Sequence, residues 1–223
     1  MVAILNIETA TKNCSVSVAI NGETKVLKEY AGEGYAHAEK LHVFIQEAVR
    51  ETGIALSDLS AVAVSMGPGS YTGLRIGVSA AKGLCYALGI PLIAIDTLEL
   101  IARAVTVDSG VIIPLIDARR MEAYTAVFDN QYNRLRITKA EVITEDSFND
   151  IEGTIHIAGD GAAKCVGVLP EGKIVHHSEV LYPSAAYMSA LSYDKYKISD
   201  TVDVAYFEPF YLKDFIAGKP TAG

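Results

Sequence analysis

Residues 66–77, MGPGSYTGLRIG, place four glycines and a proline between a run that alternates like a strand (61–66) and one with helical period (74–88). Glycines leave backbone amides uncovered, and the amino end of the following helix adds a positive partial charge. Such a turn could hold an anion, could let another stretch of backbone come very close, or could be a tight turn and nothing more. It is not the common phosphate loop, because no Gly-Lys-Ser/Thr follows, and its GxGxxxG spacing is not the dinucleotide fingerprint. Glu8 and Asp117 each end an apolar run. In a working phosphotransferase with two lobes, acids so placed hold magnesium or orient water. Either could equally cap its own loop through backbone amides. Thr9, Thr11, Asn13 and Ser15 surround the first of these loops and read as ordinary turn residues.

The five histidines are His37, His42, His156, His176 and His177. His37 and His42 are five apart, so they point to different faces of one helix, whereas a helical metal pair needs a spacing of three or four. All five read as structural or solvated, with no metal site. No Ser-His-Asp or Cys-His pattern is present, and Ser70 lies in GPGSY rather than GxSxG. Cys14, Cys85 and Cys165 are odd in number, far apart and without a CxxC pair, which argues against a disulfide framework or a zinc site.

The elements that must position these groups follow from period and punctuation. Residues 3–7 form an apolar strand, Cys14–Ile20 alternates, Asn21-Gly22 is a strong hairpin turn, and Glu23–Tyr30 returns. The spacing of Leu41, Phe44, Ile45 and Ala48 predicts a helix over 36–52, ended by Gly53. A strand over 92–95 precedes Asp96, which caps a helix with Glu99 three residues on. Then the order repeats: a strand over 111–116, an acid-ended loop, strands over 122–128 and 134–137, and a strand running into glycines at 155–161. Laying Ile7-Glu8 on Ile116-Asp117 also lays Val16–Val18 on residues 125–127. Two related lobes are expected, 1–105 and 106–223, each a mixed sheet with helices. This is the α/β layout of the actin, sugar kinase and heat-shock ATPase fold, which is ribonuclease H-like.

The chain has 223 residues, half of them hydrophobic, and a formal charge of −8. That charge makes it a poor lone binder of nucleic acid. Its first residues read as a strand rather than a signal peptide, and no run approaches the roughly 20 apolar residues of a membrane span. A cytoplasmic protein is expected.

GPGSYTGLRIGVSAAKGL, GIPLIAIDTLE, PLIDARRMEAY and EPFYLKD together resemble the bacterial TsaB (YeaZ) family. The resemblance implies a non-catalytic subunit in making threonylcarbamoyladenosine on the tRNA adenosine beside the anticodon. It implies pairing with a catalytic paralogue (TsaD), an ATPase (TsaE) that joins the complex, and a homodimer when the chain is alone. It implies tRNA reached only through the complex, and no cofactor held by the chain itself, with ATP or ADP in the assembly. The paralogue's HxxxH metal pair corresponds here to His37…His42 with the wrong spacing, and its second, His-rich segment corresponds to residues 96–101, which hold no histidine. The implied partner face is Leu41, Phe44 and Ile45 with Ile76, Ala80, Gly83 and Ala87. The candidate nucleotide contacts are Gly67, Gly69, Arg75, Asp117, Arg119 and Glu122, of which Arg119 would reach a phosphate near the partner. The family usually opens its first loop Asp-Thr-Ser, and this chain has Glu8-Thr9-Ala10. Two other readings stand: a self-sufficient ATPase or kinase of the same fold, and a metallopeptidase.

Overall fold

The computed structural model describes residues 1–32, 37–170 and 172–213. The first lobe opens with a three-strand meander: β1 (Ala3–Glu8), β2 (Cys14–Ile20) and β3 (Glu23–Tyr30). Asn21 and Gly22 both take positive φ at the β2–β3 turn, the conformation an Asn-Gly hairpin needs. Helix α1 (His37–Thr52) leads to β4 (Ala61–Gly67), then α2 (Tyr71–Leu88), β5 (Leu92–Asp96) and α3 (Thr97–Arg103). Ala36, at the expected start of α1, lies outside the described residues. The five strands form one sheet in the order β3-β2-β1-β4-β5.

The second sheet repeats this plan. Its strands are β6 (Val111–Asp117), β7 (Glu122–Asp129), β8 (Arg134–Val142), β9 (Ile155–Ala158) and β10 (Ile174–His176), in the order β10-β9-β6-β7-β8. In both sheets an antiparallel meander lies on one side of the first strand and two parallel strands on the other. The duplicated two-lobed α/β architecture is therefore present strand for strand.

Helices α1 and α2 cover one face of the first sheet, burying Leu5, Val16, Val64, Leu41, Ile45 and Val78 together. Helix α3 forms a layer between the lobes, where Leu98 and Ile101 meet Ile112, Ile116 and Phe128 of the second sheet. The chain then does something the sequence did not announce. After β10 it returns to the first lobe, where α4 (Met188–Lys197) covers the other face of the first sheet. Val202, Val204 and Phe207 pack against the same core as α1 and α2. The expected second lobe, 106–223, thus surrenders its last part to the first. Ser15 and Ser17 alternate with valines as if facing water, yet both are fully buried. Ser17 Oγ donates to the Ala185 carbonyl (2.9 Å), and the Ala185 amide donates to Ser15 Oγ (3.0 Å).

Candidate functional site

The glycine turn joins β4 to α2, and the helix begins three residues earlier than its apolar period indicated, because Ser70 caps it by accepting from the Gly73 amide (3.3 Å). The bare glycines are filled by the chain's own backbone. A Cβ on Gly69 would strike the Ala10 carbonyl oxygen, and one on Gly73 would strike that of Thr9. The Ser70 amide donates to the Ala10 carbonyl (2.6 Å), and Thr9 Oγ1 donates to the Gly73 carbonyl (2.8 Å). On the other side, a Cβ on Gly67 would lie 2.7 Å from the Phe210 carbonyl oxygen, and the Phe210 amide donates to the Met66 carbonyl (2.7 Å). Of the three readings of this turn, close backbone approach describes what the glycines do in this structure.

Glu8 is fully buried beneath the same loop. Its carboxyl accepts from the Ala10 amide (2.5 Å) and from the Ser65 hydroxyl. Burial raises its pKa from 4.5 to about 7, against the lowering effect of those two donors. It caps its loop. His37 is also buried, its Nε2 2.8 Å from the Thr11 carbonyl of the same loop, and burial lowers its pKa.

The second lobe answers with a looser arrangement. Gly159 and Gly161 lie flush on the Leu115 and Ile116 backbone, and the Gly161 amide donates to the Leu115 carbonyl (2.9 Å). Between them Asp160 accepts from the Asp117 amide (2.9 Å), and burial raises its pKa. Asp117, unlike Glu8, is exposed. It pairs with Lys164, whose ammonium also donates to the carbonyls of Arg120 (2.8 Å) and Glu122 (2.6 Å). That lysine holds a turn in which Arg119 and Arg120 take φ of 73° and 51°. Neither guanidinium makes a hydrogen bond or ion pair among the described residues, and both are exposed.

The six candidate nucleotide contacts fall into two groups. Gly67, Gly69 and Arg75 belong to the first lobe; Asp117, Arg119 and Glu122 belong to the second. Arg75 donates to Tyr71 Oη (2.8 Å) and lies over that ring. The segment over 207–213 links the groups. Lys82 of α2 donates to the Phe207 carbonyl (2.9 Å), the Tyr211 ring is 4.9 Å from that of Tyr71, and Lys213 pairs with Glu122. Lys82, Lys164 and Lys213 were invisible as site residues from spacing. The only signal was the EPFYLKD segment, whose Asp214 lies outside the described residues.

The expected partner face needs a correction. Leu41 and Ile45 are core residues of the first lobe, 0% and 4% exposed, so neither can offer its side chain to another molecule. The apolar stripe of α1 that made them look like an interface is the stripe that buries against the sheet. Phe44, Ile76 and Ala80 are half-buried, while Gly83 and Ala87 are exposed. A Cβ on Gly83 would meet nothing within 4 Å, and its neighbour Tyr86 is 86% exposed. Beside this row, Lys82, Gly83 and Tyr86 line a groove closed by Asp203, Val204 and Ala205. Among the described residues, no three His, Cys, Asp or Glu side chains are grouped to hold a metal ion. Among the described residues, no helix is long and apolar enough to cross a membrane.

A family model described as TsaD, tRNA N6-adenosine threonylcarbamoyltransferase, matches residues 33–164. The tRNA threonylcarbamoyladenosine biosynthesis protein TsaB of Escherichia coli (strain K12) is 30% identical over 99% of this chain and 98% of its own length. The same-named protein of Haemophilus influenzae is 26% identical over 99% of this chain and 97% of its own. Among solved structures, YeaZ from Pseudomonas aeruginosa shares the fold with a TM-score of 0.84 at 24% identity, over 95% of this chain and all of the other.

Proposed function

The chain belongs to the TsaB (YeaZ) family, and on that premise we propose that it is a non-catalytic subunit in the biosynthesis of tRNA threonylcarbamoyladenosine. It pairs with a TsaD-like catalytic paralogue, and a TsaE-like ATPase joins them. Alone it forms a homodimer through the same face. The observation that carries this reading is the outward row of α2. All four of Ile76, Ala80, Gly83 and Ala87 are small or apolar; Gly83 and Ala87 are exposed, while Ile76 and Ala80 are half-buried and pack partly against the core that holds the other side of the helix. Small residues let a second helix come close enough for backbone to touch backbone. The row continues the groove against Ala205, so a partner helix laid there would contact the returning segment as well.

The cleft side supports a supporting role. A phosphotransferase of this fold needs acids at both hairpins free to hold magnesium. Glu8 is instead sealed under its loop, and the glycines beside it are occupied by Thr9, Ala10 and Phe210. Arg119, whose guanidinium has no partner among the described residues, stands on a turn held by Lys164 and is offered to a phosphate of ATP or ADP in the assembly. tRNA is engaged through the complex, since a chain of charge −8 gains no net attraction for it.

The test is Ala80→Arg. An arginine pressed into a close helix contact loses hydration without a partner, a cost of several kcal/mol. Light scattering should find the variant monomeric and unable to join the TsaD-like protein, with its melting temperature near wild type. A variant that still associates normally overturns the placement. So does one that unfolds, because the row would then be core.

A further inference from the structure

Two segments join the lobes, 104–110 after α3 and 177–184 after β10. The second crosses fully: Val180 packs in the interlobe cluster, and the Pro183 carbonyl accepts from Asn13 of the first lobe (3.0 Å). A chain of ring contacts runs between these segments. His156 Nε2 is 3.1 Å from the Ser109 carbonyl, His156 Nδ1 is 3.1 Å from His177 Nε2, and His177 Nδ1 is 3.2 Å from Glu179 Oε1. Gly110, at φ 89°, lets the first segment lie against the His156 ring; a Cβ there would sit 3.3 Å from its Cδ2.

The chemistry at each end fixes the protons between. A carbonyl only accepts, so His156 Nε2 carries hydrogen when bonded to Ser109. The Glu179 carboxylate only accepts, so His177 Nδ1 carries hydrogen when bonded to it. One hydrogen must then lie between His156 Nδ1 and His177 Nε2. Three hydrogens on two imidazoles make one positive charge. With a second charge, two N–H groups face each other and repel; with none, one of the three bonds is left without its hydrogen. We propose that His156 and His177 are a proton-dependent tie between the two joining segments, complete only while the pair carries a single positive charge. The charged group in contact with it is Glu179, on the second segment. From the first segment it meets the uncharged Ser109 carbonyl.

Backbone bonds report on the tie. The His177 amide donates to Ile157 (2.9 Å), Val180 to His177 (3.1 Å), and Gly159 to Val180 (2.8 Å). Amide hydrogen exchange of the full chain, corrected for intrinsic rates, should show these three amides most protected at an intermediate pH, where the pair holds one charge, and roughly 5–10-fold less protected at both ends of a series from about pH 4.5 to pH 8.5, a difference equal to losing one hydrogen bond. His177→Gln, which can still donate to His156 but cannot take a charge, should remove that difference. Protection that is flat, or that changes in one direction only across the series in the wild type, overturns the proposal, as does a maximum that persists in the variant. Should the variant not fold, imidazole nitrogen shifts of the wild type decide. Hydrogen on His156 Nε2, with two separated proton uptakes for the pair, supports the tie; two rings titrating independently refute it.

Discussion

Replacing Glu8 by glutamine should stabilise the protein at alkaline pH and do little at acid pH. The carboxyl is sealed from water, and its pKa rises from 4.5 to about 7 because the buried anion loses hydration. A raised carboxyl pKa means that the folded chain holds a proton which the unfolded chain has already released between those values. The sign follows: stability is highest below pH 4.5, falls as pH climbs toward 7, and stays reduced above it. At 1.36 kcal/mol per unit, the ionised carboxylate costs about 3 kcal/mol at pH 8. Glutamine keeps an oxygen for the Ala10 amide and offers an N–H to Ser65 Oγ, so the loop cap survives. For a chain of this size about 3 kcal/mol corresponds to roughly 6–12 °C in melting temperature. The assay is calorimetry of both proteins at pH 5 and pH 8, reading the change in their difference, which cancels the titration of every other group. If the two melting temperatures keep the same separation at both pH values, the carboxyl does not change charge in that interval and the reasoning fails.

Two further pairs of variants separate roles that look alike in sequence. Gly73→Ala drives a Cβ into the Thr9 carbonyl, whereas Gly83→Ala adds one in open space. Denaturant titration should show the first losing about 1–3 kcal/mol from overpacking and the second gaining about 1 kcal/mol from helix propensity; equal effects would contradict the assignment of Gly73 to close backbone contact. Leu41→Ala should lose about 2–5 kcal/mol of stability as a core truncation. Half-buried Phe44→Ala should cost less stability and more association, measured by the same titration beside light scattering; the reverse ranking would put α1 on the protein the other way round.

Much of the fold was legible because local signals agreed with the global plan. Asn21-Gly22 does what that dipeptide does in hairpins, Asp96 caps α3 through the Leu98 and Glu99 amides, and both sheets begin where an apolar run ends in an acid. Three features were hidden for physical reasons. β10 has three residues, too few to show a period. β8 runs on to Val142 through a polar stretch, its pairing supplied by β7 rather than by its own composition. α4 reaches the first sheet partly through hydroxyl groups: Asn6 donates to Ser189 (3.5 Å), and Thr24 and Ser189 share a hydrogen bond (2.7 Å). A serine that binds another buried serine is indistinguishable, in sequence, from one that binds water. The misjudged interface has a related cause. Period places Leu41, Phe44 and Ile45 on one stripe, but it does not say whether a sheet or a partner covers that stripe.

The glycine motif itself is where similarity and chemistry part. Its spacing is demanding because four glycines must pass over Thr9, Ala10 and Phe210 at distances no side chain allows. That demand holds whether or not anything binds. The second lobe makes the point independently: Gly159 and Gly161 cross the end of β6 just as Gly69 and Gly73 cross the loop after β1, on an unrelated local sequence. A strand followed by glycines, laid over the first hairpin, is therefore a joint of the duplicated fold. Catalysis in such a fold has to come from what is added around the joint, such as free acids or grouped histidines. In this chain Glu8 is spent on holding the joint closed. The groups left exposed include Gly83 and Ala87 of the α2 row and Arg119 and Arg120 of the turn after β6, and these are what the chain can offer to whatever it meets.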